Sequence, residues 1–175
     1  MTDQNAPKAT LTIESADLER PDTQALIHAH WQAMAAASPG ESMHGLDLEA
    51  LKAPDIRAWS ARIDGQLAGF GALYDLGAAH GELKSMRTAE PFARRGVASA
   101  LLGHILIAAR ASGLTRLSLE TGCGPAFAPA LAFYRSQGFV ECPPFGDYTA
   151  DPASIFLTRD LGSSPADSLP DNRAL

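Results

Sequence analysis

Arg94, Arg95 and Gly96 stand where an extended segment, Glu82–Thr88, runs into a strongly apolar-periodic stretch. A strand, a short turn and a helix N-terminus make a ready anion site. The unpaired backbone N–H groups and the positive end of the helix dipole face the same point. Two arginines at a helix start oppose that dipole unless an anion sits there, and a diphosphate could use their charge. Gly96 admits a ligand close to the backbone, and Ala98 keeps a nearby position small. Arg94, Arg95, Gly96, Val97, Ala98 and Ser99 are therefore the first candidate binding residues. The chain has no G-x-x-x-x-G-K-S/T, and no G-x-G-x-x-G follows a strand, so neither of those phosphate loops applies.

The elements that must hold this turn alternate along the chain. Thr10–Glu14 reads as a first strand, and Thr23–Ala37 as a helix with Leu26, Ile27, His30, Trp31 and Met34 at helical spacing. Pro39-Gly40 stops it, and Leu46–Leu51 reads as a short second helix closed by Pro54. Ile56–Ile63 and Gln66–Tyr74 flank Asp64-Gly65, a strong hairpin signal. Glu82–Thr88 is the third strand of that group, and Pro91 bars its continuation. Arg95–Ser112 is the best helix, with Val97, Leu101, Leu102, Ile105, Leu106 and Ala109 on one stripe and Gly113 as its cap. A short strand Leu117–Glu120 follows, then a helix from near Ala126 to Gln137 with Pro129 in its first turn. Phe139–Cys142 and Ser154–Leu161 are the last strands. The order predicts an α/β fold of mixed type, with a mixed sheet and helices on both faces.

With 175 residues and 46% hydrophobic content, the chain is long enough for one domain with a real core. The expected division is a loose leader over 1–8, one domain over 9–162 and a polar, Pro-punctuated tail over 163–175. A formal net charge of −6 argues against a general nucleic-acid binder. The N-terminus lacks the apolar core of a signal peptide, and no run approaches a membrane span, so the expected location is cytoplasmic. Two cysteines, Cys123 and Cys142, make no disulfide scaffold. The five histidines show no metal-ligand spacing, so no metal is expected.

The hexad Ala93-Arg94-Arg95-Gly96-Val97-Ala98 resembles the R/Q-x-x-G-x-G/A loop of the GCN5-related N-acetyltransferases, which holds the pyrophosphate of acetyl-coenzyme A. Ala93 stands where that pattern has Arg or Gln; the family's loop grips largely through backbone N–H groups. The resemblance extends in element order over roughly residues 10–161. A second segment, with Ala130, Tyr134, Gly138 and Phe139, is similar to the family's A-x-x-x-Y-x-x-x-G-F. The resemblance implies a splayed sheet, acetyl-coenzyme A as co-substrate and transfer to an amine.

That transfer needs a neutral amine, a base, an oxyanion donor and an acid for the leaving thiolate. The resemblance makes Tyr134 the candidate acid, beside the coenzyme sulfur. It makes Glu82, which opens the strand entering the turn, the candidate base. Glu120 ends a strand beside Thr121-Gly122-Cys123-Gly124 and could bind a cationic acceptor or serve as an alternative base. Met86, Arg87 and Thr88 would line the coenzyme through their backbone, with the Met86 N–H as oxyanion donor. His44, Asp147 and Tyr148 fall in the two loops that form the acceptor pocket in the family. His30 shares a helix face with Trp31 and Met34, which favours packing, and His80 precedes Gly81 in a turn. Cys123 lacks a local partner, and direct transfer needs no acyl-enzyme.

The acceptor class stays open on sequence grounds, with a small-molecule amine preferred because the 38–55 loop is short for a protein groove. A homodimer is common in the family and is not legible here. Two other readings share the fold: a non-catalytic acyl-coenzyme A binding module, which would need neither Tyr134 nor Glu82, and an acyltransferase with a different acyl donor or a protein acceptor. The presence of both residues favours an enzyme.

Overall fold

The computed structural model describes residues 9–37 and 46–162. The leader over 1–8, the tail over 163–175 and His44 lie outside the described residues. Seven strands, β1 (Leu11–Ser15), β2 (Ile56–Ile63), β3 (Gln66–Asp75), β4 (His80–Thr88), β5 (Arg116–Gly122), β6 (Val140–Glu141) and β7 (Ser154–Asp160), form one sheet in the order β1-β2-β3-β4-β5-β7-β6. Three helices join them: α1 (Pro21–Ala37), α2 (Val97–Ala111) and α3 (Ala128–Ser136). All strand pairs are antiparallel except β4 with β5. The mixed α/β class read from the sequence is the class observed.

The β2–β3 hairpin turns at Asp64 (φ 49°) and Gly65 (φ 81°), the paired positive φ values that suit an Asp-Gly turn to strand twist. The two faces of the sheet carry separate cores. Trp59, Ala61, Ile63, Leu73, Leu83, Leu117 and Leu119 pack with Leu101 and Ile105 of α2 and with Leu131 and Tyr134 of α3. On the opposite face, Phe70 and Ala72 pack with Ile27 of α1 and Leu51.

Several boundaries differ from the sequence expectation. The short helix expected over Leu46–Leu51 is a 3-10 turn, Ala50–Lys52. Asp47 ends the chance of a longer helix by accepting the Ala50 N–H on Oδ1 at 2.8 Å, and Ala53 is already extended before Pro54. α2 begins at Val97 rather than Arg95, because Arg94 (φ 57°) and Gly96 (φ 80°) are left-handed. α3 begins at Ala128, after a 3-10 turn over Pro125–Phe127. His80 is the first residue of β4, not a turn residue: its Nε2 lies 2.7 Å from Ser118 Oγ, and Arg116 Nη2 lies 3.0 Å from its Nδ1.

A β-bulge in β4 sets the face on which its side chains appear. Ala72 pairs with Lys84 and Phe70 with Arg87, so Ser85 and Met86 together oppose Gly71. Ser85 takes φ 53° to make the extra step. Directly opposed residues share a face. Glu82, Lys84 and Arg87 therefore line up on the α1 side, with partners Tyr74, Ala72 and Phe70. Met86 is sent to the α2 side, where it packs against the larger core.

Candidate active site

The ladder between β4 and β5 ends after Glu82 pairs with Ser118. Beyond it the strands splay, and a cleft of about 260 Å³ opens between them. α1 covers it with His30, Ala33 and Met34; β4 supplies Glu82, Lys84 and Arg87; β5 supplies Glu120 and Thr121; α3 supplies Tyr134. Tyr148, from the loop before β7, closes one side.

Glu82 is 3% exposed, and it is the third residue of its strand rather than the first. Its Oε1 accepts two bonds, from Lys84 Nζ at 2.7 Å and from the Tyr148 hydroxyl at 2.6 Å. Lys84 Nζ also donates to the Tyr148 oxygen at 2.8 Å, so the three groups form a closed set. Tyr148 is held there by aromatic contacts with Phe145 and Phe156, with ring centroids 5.3 and 5.4 Å away. Burial, then the negative charge of Glu82, pushes the Tyr148 phenol far above its usual value, so it remains a donor. Glu120 accepts a 2.6 Å bond from Ser154 Oγ and adds to the negative field on Tyr148.

Tyr134 reaches the cleft from the opposite side of the sheet. It belongs to the core under α2 and α3 and is 9% exposed, between Phe133 and Phe139. Burial pushes its phenol up to about 12, so it is protonated at neutral pH. The splay is what lets a phenol from one face and a carboxylate from the other share a single cleft.

The end of β4 leads through a 3-10 turn, Glu90–Phe92, to the Arg94–Ser99 turn. No side chain caps α2. Its first N–H groups therefore have neither an intrahelical partner nor a side-chain one, which leaves them for an external anion. A Cβ on Gly96 would meet no atom within 4 Å, so the glycine serves its left-handed φ rather than close packing. Arg94 and Arg95 are exposed, and the Arg95 guanidinium lies over the Phe92 ring at 5.3 Å. An uncapped helix end reached from a splayed strand fits a coenzyme with a diphosphate and an extended arm.

Of the residues singled out in the sequence, the cleft brings Glu82, Met86, Arg87, Glu120, Tyr134 and Tyr148 together. Asp147 is exposed and does not line it. Cys123 is exposed, with its Sγ donating to the Pro152 carbonyl at 3.3 Å. Lys84 and His30 also line the cleft, although neither is a candidate on sequence grounds. Lys84 could have been found from its i+2 relation to Glu82 on one strand face. Among the described residues, no group of three or more His, Cys, Asp or Glu side chains is arranged to hold a metal, and no helix is long and apolar enough to cross a membrane.

The fold is a mixed seven-stranded sheet that parts at its one parallel pair, with an uncapped helix end beyond it. The model of the Acetyltransferase (GNAT) family matches residues 23–139. The chain is 49% identical over 150 residues to the uncharacterized N-acetyltransferase YedL of Escherichia coli (strain K12), covering 86% of this chain and 94% of that protein. It is 46% identical over 149 residues to the uncharacterized N-acetyltransferase YsnE of Bacillus subtilis (strain 168), covering 85% and 99%. Among solved structures it resembles the PaiA N-acetyltransferase from Thermoplasma acidophilum in complex with coenzyme A, with a TM-score of 0.64, 16% identity, and 86% and 99% covered. The chain belongs to the GNAT acetyltransferase family and is an N-acetyltransferase. Such an enzyme needs an acceptor substrate.

Proposed function

We propose that the cleft transfers acetyl from acetyl-coenzyme A directly to the primary amine of a small molecule. The observation that carries this reading is the meeting of Tyr134 and Glu82, from opposite faces of the sheet, where β4 and β5 part. The diphosphate would sit at the Arg94–Ser99 turn, and the pantetheine arm would run along the open edge of β4, pairing with backbone at Met86–Thr88.

The neutral amine attacks the thioester carbonyl carbon, and the Met86 N–H donates to the oxygen that becomes negative. The new C–N bond leaves a proton on nitrogen. Glu82 takes it through water, with Glu120 as the other carboxylate in reach of the cleft. Collapse of the adduct breaks the C–S bond, and Tyr134 gives its proton to the departing thiolate. Lys84 and Tyr148 hold Glu82 by one oxygen and fix its direction.

The test is thiol release from acetyl-coenzyme A across a panel of primary amines, with mass spectrometry of the products and calorimetric titration of coenzyme A. Micromolar coenzyme binding with an acetylated amine in the product supports the reading. Absence of coenzyme binding overturns it.

A further inference from the structure

We propose that the acceptor carries a carboxylate as well as its amine, and that Arg87 and His30 hold that carboxylate. This rests on the cleft being the acetyl-transfer site. The β4 bulge is the starting point. It puts Arg87 on the same face as Lys84 and Glu82, under α1, where a regular strand would have sent it to the apolar core. Met86 takes the apolar position instead.

His30 approaches from α1. Its Nδ1 is buried and has no hydrogen-bond partner. A buried ring nitrogen without a partner costs stability unless something outside the chain completes it. Both groups line the cleft, His30 from α1 and Arg87 from the β4 face beneath it. Arg87 is in no ion pair among the described residues, whereas Lys84 and Arg62, on the same sheet, both are.

A carboxylate would pair the exposed Arg87 guanidinium and complete the buried His30 nitrogen. It accepts from the guanidinium in a two-point fork and from an Nδ1–H of the imidazole in that tautomer. The cleft lining holds both carboxylates, Glu82 and Glu120, and the Arg87 guanidinium, with the Glu82 charge already met by Lys84. Ala33 and Met34 of α1 add apolar wall. A primary amine with a carboxylate on the same small skeleton, an amino acid in the broad sense, matches that set of groups.

The experiment compares matched acceptor pairs, each amino acid against its carboxamide, with wild type and Arg87→Gln. The readouts are kcat and KM by thiol release, with coenzyme A affinity by calorimetry. The expected result is a wild-type kcat/KM at least tenfold higher for the carboxylate member, carried by KM. In Arg87→Gln that preference collapses, while coenzyme A affinity stays within about twofold. His30→Asn should weaken the preference in the same direction. Equal use of acid and amide by the wild type overturns the proposal and leaves the acetyl-transfer reading standing. A loss of coenzyme A affinity in Arg87→Gln with the preference intact also overturns it, and assigns Arg87 to the coenzyme. Acetylation of no amine of either kind, with no coenzyme binding, removes both readings.

Discussion

The Tyr148 hydroxyl stands 2.6 Å from Glu82 Oε1, although the two residues are 66 apart in the chain. Lys84 Nζ bonds to both, so the carboxylate direction depends on a lysine from its own strand and a tyrosine from a distant loop. A hydrogen bond to a charged group contributes about 1.5–3 kcal/mol. Tyr148→Phe should therefore lower kcat by about tenfold while the fold survives. Glu82→Gln should lower it by about a hundredfold or more if Glu82 takes the proton. Steady-state kinetics on both variants checks this, and an unchanged rate in Glu82→Gln would hand the role to Glu120 or water.

Tyr134→Phe should lower kcat by tenfold or more, with coenzyme A affinity within about twofold of wild type. The pH profile adds a second readout. Burial raises this phenol from 10.0 to about 12, so the acid form persists well past pH 10. The Tyr134 contribution should thus be the same at pH 8 and pH 10. A basic limb near pH 10 that vanishes in Tyr134→Phe would contradict the burial account.

His30 links stability to pH. Burial, then the Arg87 charge, lowers its value from 6.5 to about 4 in the folded chain. As pH falls below 6.5 the unfolded chain binds this proton first, so the folded state loses ground. The contribution is fully present above about pH 6.5, declines between 6.5 and 4, and levels off below. The slope is at most about 1.4 kcal/mol per pH unit. His80 is lowered too, by burial first, and adds in the same direction. Urea unfolding of wild type and His30→Asn at pH 7, 6 and 5 isolates the His30 part, and the variant should be the less pH-sensitive of the two.

Gly96→Ala should cost about 1 kcal/mol, because the left-handed φ of 80° penalises a Cβ although no neighbour would touch it. If the turn relaxes to relieve that strain, coenzyme A affinity should fall by more than the fold's stability suggests. Paired thermal melts and calorimetry separate the two effects.

Arg62 is buried and donates to Glu14 Oε1 at 2.7 Å and to Asp22 Oδ2 at 2.8 Å, tying β1, β2 and the start of α1 together. Glu14 is exposed and Asp22 partly so, and both recover water when the arginine is removed. Arg62→Met should accordingly destabilise by about 1–3 kcal/mol rather than unfold the chain. Chemical denaturation at neutral pH reads this directly. Coenzyme affinity in the folded variant should be unchanged.

Most of the element order, the hairpin at Asp64-Gly65, the turn ahead of α2 and the helix that carries Tyr134 are legible along the chain, whereas the Leu46–Leu51 helix is not formed. These are local matters: side-chain periodicity, turn chemistry and helix ends are written within a few residues. Which side chains meet is set by the packing of distant segments. The Ser85 bulge shows itself only against Gly71 of the neighbouring strand, yet it chooses whether Met86 or Arg87 faces α1. Tyr148 reaches Glu82 because Phe145 and Phe156 pack around it, and no spacing along the chain encodes that contact. His30 has helical periodicity suited to packing, and only the cleft beneath α1 reveals its unpaired nitrogen. The physical reason is common to all three. Register and burial are set by partners far along the chain, and a sequence read one segment at a time contains the segments but not their pairing.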